Sequence, residues 1–504
     1  MNTVKRTFTT FILLLALTGI APLGVSAQET QAQADSEVQN QTRAGSDTEP
    51  AQKSGAALSA QAAVSEAKAR SHQLTLKEIE YSRTGHAVKE ARTRGRPSVS
   101  MQASSSILSN PQEEIAIHKG EMGYSPSPDS QHPTPFPDQD YVIMEGMEHT
   151  YFKISVALSQ PLFTWGKIKK GIEVAELDQG IAEQEIESEQ RQTRKNALSA
   201  YFGLLFARKS VSLLKEAESV LKNVVDDTEN QYNVGTVNLE TVLSAKNRKA
   251  MVTKQRIGAE EGQASARESL RYYTGRKDIA STKLSTDFRT ALPELELDAL
   301  TQKALRRSPE LNKRRMQQKQ AGIGLDIEKS GAPWRPDFNL NLNMDITGEK
   351  IPLFGANWSD TWNTNVILSI GTKMNIYDSG KSKHSIAQAE DRLKSAQTGV
   401  EATIESMRLQ VQRSVETVRT SFYNMESIKS KMALHEEQYK NAEVSYRNEL
   451  ITRKDERLAY IQLLTTKSEA VLAAYQYEQA LIELEKLIGQ QLIPYGKGQA
   501  VLDN

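Results

Sequence analysis

The chain contains the same unit twice, and this duplication limits the folds that it can adopt. Landmark residues recur 214 positions later in the sequence. The pairs are Gly166 and Gly380, Ala175 and Ala389, Tyr232 and Tyr446, and Gly275 and Gly489. Because such repeats correspond to structural units, the sequence predicts two copies of one unit, over residues 56–280 and 292–490.

The register between the copies is not uniform. Tyr201 lies 31 residues before Tyr232, whereas Phe422, which we take as its counterpart, lies 24 residues before Tyr446. The difference of seven residues is one heptad, which a coiled helix can absorb without turning its apolar face. We therefore expect a slip of one heptad inside the long helices.

Each unit is predicted to begin with a helix, followed by two strands and then by two long helices joined by a short turn. Apolar and small residues recur at steps of three and four through residues 386–425, which indicates a coiled-coil seam. No proline interrupts residues 166–232, so this stretch can form a rod of about 100 Å. The low aromatic content of 6% agrees with narrow seams rather than large globular cores.

Four segments alternate between apolar and polar residues and predict β-strands. The clearest is residues 338–346, and the others lie near 99–107, 152–159 and 366–376. Strands of about nine to eleven residues can cross a bilayer in a tilted barrel. A half-buried strand in a soluble sheet shows the same alternation, so the alternation alone leaves both interpretations open.

The tryptophans favour the membrane barrel. All of them flank the predicted strands, as interfacial anchors do: Trp165, Trp334, Trp358 and Trp362. Four strands cannot close a barrel, and an open edge in lipid leaves backbone groups unpaired. Several chains must therefore contribute, and twelve strands from a trimer would enclose a wider pore than eight from a dimer.

The N-terminus is typical of a secreted protein. Lys5 and Arg6 precede an apolar run over residues 11–21 and a small-residue cleavage site at 25–27. We expect a signal peptide over 1–27 and a disordered lead-in over 28–55, which has almost no large apolar residues. We expect no membrane-spanning helix elsewhere, and a C-terminal tail over 491–504.

Composition argues against several other classes of protein. The 63 basic and 63 acidic residues balance, which excludes nucleic-acid binding through bulk positive charge, and the chain has no cysteine for disulfides or thiolate metal sites. His435 and Glu436 begin like a zinc-protease helix without its second histidine, and residues 322–324 lack the third glycine of a dinucleotide site. We therefore predict no enzyme activity, no cofactor and no metal site.

The chain resembles the TolC family of outer-membrane efflux proteins. The duplicated layout carries the resemblance together with three motifs: residues 161–166 (Pro-Leu-Phe-Thr-Trp-Gly), 308–311 (Ser-Pro-Glu-Leu) and 232–236 (Tyr-Asn-Val-Gly-Thr). It implies a homotrimer with a 12-stranded β-barrel in the outer membrane of a Gram-negative bacterium and an α-helical tunnel in the periplasm. It also implies a passive exit duct for efflux or type I secretion, docked to a periplasmic adaptor and an inner-membrane pump or ABC exporter.

The resemblance also suggests positions for docking and gating. The adaptor-docking tip would comprise Tyr232, Val234, Gly235 and Thr236. The equivalent turn in the second unit has Glu449 where glycine is expected, so docking there stays open. Asp455 matches the first of two acidic gate positions, whereas Leu458 occupies the second. A solvated charged helix face is the other interpretation of Asp455.

A second class of function remains open from the sequence. A soluble periplasmic coiled-coil adaptor or structural spacer would also contain long helices, with the alternating segments in a soluble domain. Such a protein would be released by osmotic shock, whereas an outer-membrane duct would require detergent.

Overall fold

A computed structural model of the chain describes residues 57–125, 134–144, 146, 149–331, 334–348, 362–374 and 376–495. One compact unit comprises residues 58–280 and 284 onward, and the elements below belong to it; a second unit includes residues 281–283. The predicted signal peptide and lead-in, Trp358 and most of the predicted tail lie outside the described residues.

The two halves of the chain have the same succession of main elements. In the first half these are α1 (Ala60–Arg70), α2 (His72–Thr93), β1 (Ser98–Ile107), the short strands β2 (Ile115–Ile117), β3 (Tyr124–Ser125), β4 (Thr134–Pro135) and β5 (Tyr141–Met144), then β6 (Thr150–Phe163), α3 (Lys167–Asn233) and α4 (Leu239–Thr274). In the second half they are α5 (Leu297–Arg307), α6 (Pro309–Ser330), β7 (Asp337–Gly348), β8 (Trp362–Lys373), α7 (Lys381–Arg447) and α8 (Arg453–Ile488). Two helices, rather than the one predicted, precede the strands of each half.

Equivalent helices have equal lengths, and the heptad slip expected from the sequence is wrong. Helices α3 and α7 each contain 67 residues, and their bounds lie 214 positions apart. Buried positions coincide at the same offset: Tyr201 with Val415, Leu204 with Val418, and Val211 with Met425. The expectation paired Tyr201 with Phe422 because both are aromatic, but the same core position holds a valine in the second copy.

The ends of the helices follow local sequence signals. Ser71 and Ser308 cap α2 and α6, and their hydroxyls accept hydrogen bonds from backbone N–H groups three residues later at 3.2 and 3.1 Å. Gly275 and Gly489 end α4 and α8 with φ of 70° and 66°. Glycine adopts this left-handed conformation without a side-chain clash, so both helices stop at equivalent positions.

The hydrophobic core lies where α3, α7 and α8 pack with the segment that connects the two halves. Tyr201, Phe202, Phe288 and Tyr477 are completely buried or nearly so. One 18-residue stretch of α3 is apolar enough to cross a membrane by length and composition, contrary to our expectation, but half of it is buried inside the fold. The apolar character of this stretch is accounted for by packing in the helical core.

A buried ion cluster ties the connecting segment to α8. The Arg289 guanidinium donates to Glu478 at 2.7 Å and to Glu485 at 2.5 Å, and all three side chains are at most 4% exposed. The ring of Tyr495 lies 4.6 Å from the guanidinium carbon. Burial beside a second carboxylate raises the pKa of Glu478, even though Arg289 opposes the shift.

Candidate functional site

The strands form a four-stranded antiparallel sheet in the order β1-β6-β7-β8, and neither edge strand has an outer partner within the described residues. Side chains line up in rows across this sheet because its registers are continuous up to an irregularity between Pro161 and Phe163. Two neighbouring rows on one face are wholly apolar: Val99, Leu158, Leu342 and Leu368, then Met101, Val156, Met344 and Val366. The strands that were predicted from alternation therefore share one apolar face.

The apolar face is open along its edge strands. Met101 is 69% exposed in β1, and Leu368 and Ile370 are 67% and 68% exposed in β8. A continuous apolar surface of this kind marks contact with a partner or with lipid. Strand β7 contains 12 residues, which at a tilt of about 40° span roughly 30 Å, the thickness of the hydrocarbon core.

The opposite face of the sheet is polar. The Ser155 hydroxyl donates to Asp345 Oδ1 at 2.6 Å, and Lys153 Nζ lies 3.4 Å from the same carboxylate. Ser159 donates to Asn341 Oδ1 at 3.0 Å. The charges on this part of the face are paired, which suits a water-filled lumen better than a binding site for a charged ligand.

Two tryptophans lie together at the end of the sheet where the helices begin. The rings of Trp165 and Trp334 meet edge to face with centroids 6.3 Å apart. The Arg335 guanidinium lies over both rings, at 5.4 and 4.3 Å, and Trp165 Nε1 donates to the Pro336 carbonyl at 2.9 Å. Aromatic side chains with a polar partner are typical of a membrane–water interface.

The third described tryptophan lies at the other end of the sheet. Trp362 begins β8 and pairs with Gly348 at the end of β7. Aromatic residues therefore flank the apolar face at both ends. Trp358 lies outside the described residues, and the anchoring role of all four tryptophans stays a prediction.

The first helical turn, between α3 and α4, presents an uncharged surface. Gly235 has φ of 79°, and Thr236 donates to the Gln231 carbonyl through its backbone N–H at 2.9 Å and its hydroxyl at 2.8 Å. Val234 is 75% exposed, and Tyr232 is 44% exposed. The four predicted docking residues thus lie together on one exposed turn, which its own hydrogen bonds hold in shape.

The second turn, between α7 and α8, has the same backbone geometry. Leu450 N–H donates to the Ser445 carbonyl at 2.9 Å, as Thr236 does to Gln231. Glu449 occupies the position of Gly235 and adopts φ of 58°. This left-handed conformation costs a residue with a side chain about 1–2 kcal/mol. The glutamate therefore strains the turn but does not change its shape.

Asp455 lies at the start of α8 and caps that helix. Its backbone N–H donates to the Thr452 hydroxyl at 3.2 Å, and its carboxylate accepts from the Thr452 N–H at 3.2 Å and from the Thr452 hydroxyl at 2.7 Å. This reciprocal pair is a capping box. The side chain is exposed, so capping accounts for Asp455 locally, and its gate role stays a prediction.

Contacts between the two hairpins lie behind the turns and were not found from the sequence. Arg457 pairs with Asp227, and the Tyr460 hydroxyl donates to Glu216. Burial and the neighbouring carboxylate raise the pKa of Tyr460. The partners are 230 and 244 residues apart, and no local pattern could have paired them. Among the described residues, no three potential ligands group as a metal site would need.

Comparisons with known proteins agree with this architecture. The family described as "Outer membrane efflux protein" matches residues 63–276 and 300–490. The chain is 24% identical over 360 residues to outer membrane protein TolC of Salmonella enteritidis, covering 70% of each chain. It is 23% identical to TolC of Escherichia coli K12 over 357 residues, covering 68% of this chain and 70% of that one.

Solved structures show the same fold. The Campylobacter jejuni CmeC outer membrane channel superposes with a TM-score of 0.67 at 15% identity, covering 85% of both chains. The outer membrane protein VceC of Vibrio cholerae superposes with a TM-score of 0.66 at 16% identity, covering 86% of this chain and 97% of that one. Sequence identity at this level supports the fold alone.

Proposed function

The chain belongs to the outer membrane efflux protein family, and from this premise we propose that it is the passive exit duct of a tripartite efflux or type I secretion system. It is a transport protein of the Gram-negative outer membrane rather than an enzyme, with its helices in the periplasm. The observation that carries the proposal is the sheet with one apolar face, one polar face and two edge strands that have no outer partner among the described residues.

The directions of the two edge strands support closure by several copies of the chain. The four strands alternate in direction, so β1 and β8 run antiparallel to each other. The β8 strand of one copy can therefore pair with β1 of the next in the same antiparallel manner. A closed ring of this kind leaves no unpaired backbone in lipid.

Three copies suit an exit duct better than two. Two copies give eight strands, whose interior side chains fill the space or hold one small ligand. Three copies give twelve strands and a wider lumen. The polar face with Ser155, Asn341 and Asp345 would line that lumen, and Leu342 and Leu368 would face lipid.

The first turn is the better candidate for docking a periplasmic adaptor. It lies at the far end of a 67-residue helix, about 100 Å from the start of α3. Residues Tyr232, Val234, Gly235 and Thr236 are exposed there, and the turn carries no charge. An inner-membrane pump or ABC exporter would complete the assembly and supply the energy for transport.

Asp455 is our candidate for the periplasmic gate. It lies three residues after Thr452, just beyond the second turn. Three copies around a threefold axis would form a ring of carboxylates, which favours cations. The capping interaction with Thr452 holds each carboxylate in place for such a ring.

Photocrosslinking in cells tests the docking proposal. A photoreactive residue at Val234 should capture a periplasmic adaptor, and the same probe at Leu450 samples the second turn at an equal exposure of 75%. Capture at Val234 alone would assign docking to the first turn. Absence of capture at both positions, from protein released by osmotic shock, would favour the soluble spacer.

A further inference from the structure

A cationic cavity lies between the end of α1, the middle of α3 and the end of α8. Its volume is about 210 Å³, and five cationic side chains line it: Lys68, Arg191, Arg194, Lys195 and Lys486. The last four are between 15% and 37% exposed. Half-buried like charges repel each other more strongly than charges in open water, so this arrangement needs a compensating anion.

The carboxylates near the cavity neutralise only part of this positive charge. Arg191 pairs with Glu187 at 2.6 Å. Glu483 forms ion pairs with both Lys195 and Lys486, the latter at 3.9 Å. Lys68 makes no ion pair within the described part of the chain.

The third carboxylate, Glu485, lies between the cavity and the buried ion cluster of Arg289. Glu485 Oε1 accepts from Arg289 at 2.5 Å and from the Leu492 N–H at 2.8 Å. Arg194 lies 3.9 Å from its other oxygen. Five cations therefore face three carboxylates, and one of these, Glu485, shares the buried Arg289 with Glu478.

The duplicated fold provides a comparison, because the equivalent helices in the other half carry fewer of these charges. Each of the cavity's cationic residues in α3 and α8 has an equivalent position 214 residues away in the other half of the chain. Only the position equivalent to Arg194 also holds a cationic residue. The counterparts of Arg191, Arg194, Lys195 and Lys486 are Glu405, Arg408, Leu409 and Tyr272. The same helical framework forms in the second copy with only one of these cations, so the framework alone does not account for their concentration here.

We infer that this cavity binds a soluble, multiply charged oxyanion of the size of a diphosphate. Arginine and lysine together suit such groups, because guanidinium forks match their oxygens and ammonium groups add charge. Arg191 is 24 residues into α3, which places it about 36 Å of helix from the sheet. Lipid headgroups are therefore out of reach, and the ligand comes from solution.

Calorimetry on the purified full-length protein in detergent tests this inference, with pyrophosphate as the probe and sodium chloride at matched ionic strength as the reference. The wild-type protein should show saturable binding of pyrophosphate. The Lys68→Gln, Lys486→Gln double variant removes only the 3.9 Å pair of Lys486 with Glu483 and should bind at least tenfold more weakly. Arg408→Gln, at the exposed counterpart of Arg194, is the matched control and should bind as the wild type does.

Thermal unfolding provides a second readout that a purely structural role would not produce. Without pyrophosphate, the double variant should unfold at a higher temperature than the wild type because repulsion is relieved. Pyrophosphate should raise the midpoint of the wild type and leave that of the double variant unchanged. Absence of saturable binding, or equal affinity in the double variant, would overturn the inference. Neither measurement depends on export or docking.

Discussion

Adjacent residues on β8 provide a sharp test of which face of the sheet meets lipid. Leu368 belongs to an apolar row and is 67% exposed, whereas Ser369 pairs with Asn341 on the polar face. Both lie near the middle of the strand, so arginine at either position changes the same charge at the same depth. Only the orientation of the side chain differs between the two variants.

The expected magnitude follows from this placement. Arginine that faces lipid near the bilayer midplane costs about 2–4 kcal/mol per chain, so Leu368→Arg would cost a trimer about 6–12 kcal/mol. Ser369→Arg would face the watery lumen, so it should leave assembly intact and shift the ion selectivity toward anions.

The assay is denaturant unfolding of the assembled protein in lipid vesicles, together with outer-membrane yield. We expect a large loss of stability and yield for Leu368→Arg only. Equal effects of the two substitutions, or wild-type stability of Leu368→Arg, would refute the assignment of the apolar face to lipid.

Three further predictions concern the helical part. Glu449→Gly should remove the left-handed strain and stabilise the turn by up to about 1 kcal/mol, a limit set by the greater backbone freedom of glycine in the unfolded chain. Slower hydrogen exchange at the turn would agree with this prediction, and faster exchange would contradict it. The raised pKa of Glu478 means that the folded state binds its proton more tightly than the unfolded state does, so this group's contribution to stability is lost as the pH rises above about 4.5. Glu478→Gln should flatten that part of the curve of stability against pH. An unchanged curve would contradict this prediction. Arg457→Gln should lower the free energy of separating the two hairpins by about 0.5–1 kcal/mol, because its ion pair with Asp227 is lost. Proteolysis near Asp227 should then be faster, and cleavage at the wild-type rate would contradict this prediction.

Much of the architecture could be predicted because its signals are local. The alternation in residues 338–346 lies within β7, and Gly275 and Gly489 end equivalent helices. Residue type alone was a poor guide to the alignment of the two copies, because it does not show which positions are buried. Two aromatic residues suggested a slip of seven, although the position of Tyr201 in the second copy is filled by Val415.

The remaining features depend on residues that are far apart in sequence. The cluster of Arg289 with Glu478 joins positions 189 residues apart, and the cationic cavity combines α1, α3 and α8. The capping role of Asp455 has a local signal, since Thr452 precedes it by three residues. Glu449 was harder to interpret, because a glutamate in a left-handed turn goes against the preference for glycine.

The central claim is that copies of this chain close one continuous pore. The most direct measurement is single-channel recording of the purified protein in a planar bilayer, with the stoichiometry of the same sample determined by native mass spectrometry. The proposed duct predicts three chains per particle and a steady ionic conductance that Ser369→Arg makes more anion-selective. A monomeric protein that gives no conductance and is released from cells by osmotic shock would contradict it.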